Sequence, residues 1–283
     1  DEVVSLLREK GLVYDKEGAV WLKTTEFGKE DDTVLIKSSG EPTYRLPDTA
    51  YHRDKVERGY DLIVDIFGAD HKDTYPDVIA AIGALGYKTD QIRVLIHQFV
   101  SLLRDGKKVK MSTRKATFVT LDELIDMVGV DVVRYFFIMR NRQSHLNFDI
   151  GLAEKESDEN PVYYLQYAHA RISNILKYAE EMGTKSGGEP DLTLIKKDEE
   201  LSLIKSLIHF PETVMNALEN LEPQTVAGYL QWAATDFHKF YSEHRVVTDD
   251  KELTMARLFL VSAVRTVLAN GLEILGISQP EKM

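Results

Sequence analysis

The sequence has no cysteine among its 283 residues. Disulfides, thiolate metal ligands and cysteine nucleophiles are therefore excluded together, which fits a reducing compartment without requiring one. Long apolar runs are equally scarce: none approaches the roughly 20 residues that a membrane-spanning helix needs. The opening residues, Asp1-Glu2-Val3-Val4, supply neither the basic nor the apolar region of a secretion signal. They also lack an initiator methionine, so a piece of a longer chain is expected. The eight histidines show no metal-ligand spacing, and there is no internal repeat or low-complexity tract. Positive charge is in the minority, with 35 Lys and Arg against 46 Asp and Glu, a formal net charge of −11. Residues 1–150 carry 22 basic and 25 acidic side chains, and the remainder carry 13 and 21. Non-specific coating of nucleic acid depends on neutralising phosphates, so any such partner must be met by local patches.

One such patch is present. From Arg104 to Lys115 six cationic side chains and one carboxylate occupy twelve residues, a local net of +5. The stretch follows an apolar strand and contains Gly106, as a mobile loop gripping a polyphosphate would require. Charge alone leaves a solvated basic turn equally open.

A hydrophobic content of 43% is ample for real cores, and the length suits one or two domains. Up to about residue 118, strands and helices alternate. Ala19–Leu22 and Val34–Ile36 read as short strands between polar turns, and Asp61–Phe67 as a β-branched strand ending at Gly68. Tyr75–Leu85 has helical spacing with Gly86 as its C-cap, and Ile92–Ile96 is the next strand. Strand, helix and strand at this spacing predict a parallel α/β sheet, with ligands bound beyond the strands' carboxyl ends.

After residue 119 the pattern is helical. Thr120-Leu121-Asp122-Glu123 reads as a capping box, and Asn160-Pro161 as an N-cap followed by proline at N1. Thr184–Asp191 is the clearest loop. Helices follow at roughly 198–220 (with Pro211 splitting it), 224–245 and 250–275. The fold class expected is α/β followed by an all-α helical bundle.

Several blocks carry a more specific signal. Gly68-Ala69-Asp70-His71, Val109-Lys110-Met111-Ser112-Thr113-Arg114, Phe118-Val119-Thr120-Leu121, Gly129-Val130-Asp131 and the run from Asn160 to Ile172 together resemble bacterial arginyl-tRNA synthetases of class I. So does the ending Ile274-Leu275-Gly276-Ile277. The resemblance spans essentially the whole sequence. It implies the second half of a Rossmann-like catalytic domain over 1–118, a helical connection over 119–150 and an α-helical anticodon-binding domain over 151–283. The family's first signature, His-Ile-Gly-His, occurs nowhere here. The expectation is therefore little or no activity from this piece alone.

The resemblance also assigns roles. Arginine attacks the α-phosphate of ATP, delivered with Mg2+, and the protein supplies positioning and charge stabilisation. Lys110, Ser112 and Arg114 would act on the phosphates, with Gly68, Asp70, His71, Lys107, Lys108 and Met111 completing the ATP site. Thr113 stands where the family has its second signature lysine, and Lys72 where a second histidine is usual, so those details depart from the pattern. Tyr44 and Asp48 match the block that holds the substrate arginine, and a carboxylate is the natural acceptor for a guanidinium. Left to spacing, Asp48 would N-cap a helix over 49–58, and Asp70 would cap the helix after it.

For tRNA, Tyr164, Tyr167, Arg171, Asn174 and Tyr178 share one helical face, opposite Leu165, Ala168, Ile172, Ile175, Leu176 and Ala179. Aromatics with arginine suit base and ribose contacts, although packing against other protein would use them as well. Tyr241, His244 and Arg245 are expected near the anticodon. The partners implied are tRNA(Arg), L-arginine and ATP, in a cytoplasmic monomer with no membrane association and no structural metal. A non-catalytic tRNA-binding module derived from a synthetase is the alternative.

Overall fold

The computed structural model describes residues 1–104, 106–109, 119–184 and 189–283. They form two compact units: Asp1–Phe99 with Arg142–His145, and Val100–Asn141 with Leu146–Met283.

In the first unit, α1 (Glu2–Glu9) precedes an antiparallel sheet of β1 (Val13–Lys16), β2 (Ala19–Leu22) and β3 (Thr33–Ile36). Val3, Leu7, Val13, Leu22 and Leu35 bury together beneath it. Then come α2 (Arg45–Glu57), β4 (Ile63–Gly68), α3 (Tyr75–Leu85) and β5 (Ile92–His97). Strands β4 and β5 pair in parallel from Ile63↔Ile92 to Gly68↔His97, so the β-α-β unit read from the sequence is present. Gly86 ends α3 at φ +98° as its C-cap. Ile63, Ile82 and Ile92 pack under one face of this sheet. On the other face Val64 and Ile66 are exposed.

The second unit begins with β6 (Val100–Arg104) and β7 (Lys107–Lys108), followed by α4 (Leu121–Val128), α5 (Val130–Ile138), β8 (Leu146–Asp149) and the short α6 (Ile150–Ala153). Strand β8 pairs in parallel with β6, so the stretch after residue 119 is not wholly helical. The four-residue β8 is too short for its alternation to stand out beside the helical signals around it. The bundle proper is α7 (Pro161–Glu181), α8 (Asp198–Ile208), α9 (Phe210–Asn220), α10 (Gln224–Glu243) and α11 (Lys251–Ile274). Pro211 does open a new helix, because its missing N–H is tolerated only in a first turn. The capping box forms as read: Glu123 N–H donates to Thr120 Oγ1 (3.1 Å) and Thr120 N–H to Glu123 Oε2 (2.8 Å).

One core runs through this unit, built on Phe148, Leu165, Ile172, Leu230, Phe237, Phe240, Val264 and Leu272. Tyr135 lies inside it at 1% exposure and donates its hydroxyl to Ala227 O. Burial pushes that phenol up to about 12. Helix α11 is long and apolar enough, by length and composition, to cross a membrane. Arg257 and Arg265 interrupt it, so the helix contains no long unbroken apolar run. Half of its most apolar window is buried, as suits the central helix of a bundle.

Helix α11 ends in a Schellman turn. Ile277 N–H donates to Leu272 O (2.9 Å) and Gly276 N–H to Glu273 O (2.9 Å), with Gly276 at φ +67°. A Cβ on Gly276 would also meet Arg134 Nε at 2.6 Å. Gly276→Ala should therefore cost about 1–2 kcal/mol, chiefly for the left-handed backbone. A thermal unfolding midpoint equal to that of the unaltered protein would contradict this.

Candidate nucleotide-site residues and a basic aromatic cavity

In the first unit the structure fixes the backbone of α2 and leaves its candidate side chains facing solvent. Arg45 Nε donates to Asp77 Oδ2 (2.6 Å), and Lys29 Nζ lies 2.5 Å from Asp77 Oδ1, while Asp77 itself is 1% exposed. Further along, His52 Nδ1 bonds to Asp48 O (2.8 Å) and His52 Nε2 to Asp65 Oδ2 (2.7 Å), with Lys55 also paired to Asp65. Helix α2 is thus tied to α3 at its start and to β4 at its middle. Because Arg45 is anchored, the helix begins there with Tyr44 at the N-cap, and Asp48 falls in the first turn rather than at the cap. A carboxylate there still complements the helix dipole. Tyr44 is 89% exposed and Asp48 is exposed as well.

Gly68 closes β4, and Asp70 and His71 follow in a single 3-10 turn, both exposed. Asp70 does not cap α3, whose N-cap is Thr74; its carboxylate instead folds back over Gly68, where a Cβ would meet Asp70 Oδ1 at 2.6 Å. His71 stacks on Phe67 with ring centroids 5.5 Å apart, and its Nε2 lies 3.8 Å from Asp70 Oδ2.

In the second unit, Lys107 and Lys108 pair with Arg104 and Leu103 at the end of β6, and both ammonium groups are exposed. Lys110, Met111, Ser112 and Arg114 lie outside the described residues.

The bundle carries a cavity of about 820 Å³ between α7, the end of α10 and the segment that follows it. Tyr167, Arg171, Tyr178, Tyr241, His244 and Arg245 all line it. Arg171 sits between two rings, its guanidinium carbon 4.4 Å from the Tyr167 centroid and 4.9 Å from that of Tyr241, and it also donates to the Tyr167 hydroxyl. Asn174 lines it as well, so seven of the eight side chains read as facing tRNA in this unit converge here. The eighth, Tyr164, packs on the core and on His238, with centroids 4.6 Å apart. One turn of helix separates Tyr164 from Tyr167; both are half-buried against His238 of α10, and only Tyr167 also reaches the cavity.

Partners that sequence reasoning missed hold the cavity wall. His244 Nε2 lies 3.1 Å from Glu199 Oε2, and that hydrogen bond keeps the Glu199 carboxyl below its usual range. Arg257, 6% exposed, donates from Nη1 to Arg245 O (2.7 Å) and from Nε to Glu200 Oε1 (2.8 Å). Glu200, fully buried, also accepts the N–H groups of Lys196 and Lys197. Burial pushes its carboxyl up, but the Lys197 N–H and Arg257 outweigh that, and it stays below the ordinary range. Residues 57 apart leave no local sequence signal for such a pair.

Beside the cavity, His238 lies among Tyr164, Tyr167 and Phe237, with its Nε2 buried and unpartnered. Burial and then the Arg171 charge push its pKa down, against smaller upward pulls from a hydrogen bond to the Tyr164 backbone and from Asp158. The folded state thus binds this proton less readily than the unfolded chain. Stability should fall as pH drops below about 6.5, before carboxylates begin to titrate near pH 4. Thermal midpoints between pH 7.5 and 5 should show the decline, and His238→Gln should reduce it, leaving the share due to His97, which burial also pushes down. An unchanged slope in that variant would remove His238 as a source.

Comparison with known proteins decides the family. Residues 1–149 match the model of the class I tRNA synthetase catalytic domain, arginine type. The chain belongs to the class I tRNA synthetase family. Residues 165–283 match the DALR anticodon-binding domain, so a parallel-sheet catalytic portion is followed by a helical anticodon domain. Arginine–tRNA ligases of Salinibacter ruber and Desulfotalea psychrophila are 53% and 51% identical to the whole chain. The chain spans about half the length of these relatives, 50% and 52%. A candidate arginyl-tRNA synthetase structure from Campylobacter jejuni superposes with a TM-score of 0.88 at 33% identity, covering all of this chain and 61% of that one.

Proposed function

We propose that this chain is the part of an arginine–tRNA ligase that carries the signature loop and reads the anticodon. In the complete enzyme, Mg-ATP activates L-arginine as the adenylate, and the arginyl group passes to the 2′-hydroxyl of the terminal adenosine of tRNA(Arg). The observation that carries this reading is the cavity beside Arg171, built within the stretch that matches an anticodon-binding domain. Rings and a guanidinium offer stacking faces to unpaired bases, and Arg171 and Arg245 offer charge to phosphate. In the catalytic portion, the pinned start of α2 would present Tyr44 and Asp48 to the substrate guanidinium. Gly68, Asp70 and His71 at the strand end would meet the adenosine. Lys107 and Lys108, with Lys110, Met111, Ser112 and Arg114, would meet the triphosphate. A monomer in the cytoplasm belongs to the same proposal.

Parallel sheets are normally covered on both faces. Two parallel strands with Val64 and Ile66 exposed therefore support the view that further chain completes the nucleotide-binding sheet. With tRNA(Arg) present, as the family's activation step requires, the chain alone should give no arginine-dependent ATP–pyrophosphate exchange, and mixing it with the segment bearing the first signature should restore exchange. Exchange by the chain alone would overturn the incomplete-site reading. A second reading is a non-catalytic tRNA-binding module, which the cavity beside Arg171 would serve equally: tRNA binding with no exchange in the reconstituted mixture would select it.

In the complete enzyme, Asp48→Ala should raise the KM for arginine by about 100-fold, the scale of losing a charge-assisted bidentate contact, with the KM for ATP little changed. Equal changes in both would sink the assignment of Asp48.

A further inference from the structure

Beyond the Schellman turn the chain no longer contributes to the core. Ile277 is buried at 3% exposure, whereas Ser278 and residues 281–283 are exposed. Ordering such a tail costs about 1–2 kcal/mol per residue in backbone entropy, and here little apolar burial offsets it. Polar clamps hold it instead. The Asp131 carboxylate on α5 accepts the Ser278 N–H (3.2 Å), the Ser278 hydroxyl and Gln166 Nε2 (2.8 Å). One turn further along α7, buried His169 donates from Nδ1 to Pro280 O (2.9 Å). The acceptor is a carbonyl, so Nδ1 must carry the proton.

These clamps set where the tail runs. Past Pro280, Met283 lines the cavity that contains Arg171, while Glu281 and Lys282 line a second cavity of about 740 Å³ beside α7 and α11. Residues 281–283 thus border both cavities, beside Asn174 of α7, which lines each of them. We propose that Asp131 and His169 are positioning residues for RNA binding: they lash the tail across α5 and α7 and so fix the wall of the cavity that receives the anticodon loop. This rests on the reading of that cavity as an RNA site. Neither side chain needs to touch RNA; both act through the tail.

A thermodynamic cycle on the 283-residue chain tests this, with an anticodon stem-loop hairpin of an arginine-accepting tRNA as the probe. Ending the chain at Ser278 should weaken hairpin binding roughly tenfold, the scale of one lost contact group. His169→Ala in the full chain should produce a similar loss, and His169→Asn, which keeps a donor near the Nδ1 position, should restore most of it. In the shortened chain, His169→Ala should change nothing further, because its partner is gone. A role confined to stability would not give that non-additivity. Unchanged binding by the shortened chain, or an equal effect of His169→Ala in both backgrounds, would overturn the proposal while leaving the RNA reading intact. Failure of the unaltered protein to bind the hairpin would overturn both.

Discussion

Replacing Arg257 with alanine should destabilise the helical unit by about 3–5 kcal/mol, the scale of stranding one partner of a buried ion pair. The pair has side chains 7% and 1% exposed at 2.8 Å, so removing the cation leaves a buried carboxylate without its charge partner. The two backbone N–H groups that Glu200 accepts would remain, but they balance only part of its charge. For a unit of this size the thermal midpoint should fall by roughly 10 °C. Replacing both residues with methionine should cost much less, because no uncompensated charge stays buried. Unfolding curves of the three proteins check this, and a single substitution within about 1 kcal/mol of the unaltered protein would contradict it. The variant should also loosen the cavity wall, since Arg257 is the donor to Arg245 O.

Arg171→Ala should reduce affinity for an anticodon stem-loop by roughly 10- to 100-fold while leaving the fold intact. The guanidinium is held between Tyr167 and Tyr241, so its loss removes a charge and the spacer that keeps two stacking faces in register. Arg171→Lys separates the two contributions. Lysine restores the charge but cannot fill a planar slot between rings, so recovery should be small if stacking dominates. Salt titrations add a second check: loss of one phosphate contact should reduce the slope of log K against log salt by about one. Affinity unchanged in the alanine variant would remove the cavity as the RNA site. Because the Arg171 charge helps push the His238 pKa down, the same variant should also blunt the loss of stability between pH 7.5 and 5.

The sequence displayed what depends on neighbours in the chain. The β-branched run ending at Gly68 and the apolar spacing of Tyr75–Leu85 gave strand and helix their periods, and Thr120 with Glu123 and Asn160 with Pro161 closed helix ends through bonds within three residues. The family resemblance was legible for the same reason, being carried by contiguous blocks such as Asn160 to Ile172. Tyr167, Arg171 and Tyr241 could be proposed because helical projection places residues of one helix on one face.

Only the tertiary structure decided which of those side chains stay open. Tyr164 and Tyr167 have the same chemistry on the same helix and both meet His238 of α10, but only Tyr167 also lines the cavity beside Arg171. The start of α2 was set by Asp77, 32 residues from Arg45, and the cavity wall by Glu200, 57 residues from Arg257. The course of the tail was set by Asp131, 147 residues from Ser278. Periodicity and capping are local and written into adjacent residues, whereas a buried charge selects its partner through space once the core has closed around it. Local patterns thus determined most of the helices and several strands, contiguous motifs carried the family resemblance, and packing determined the shape of the site.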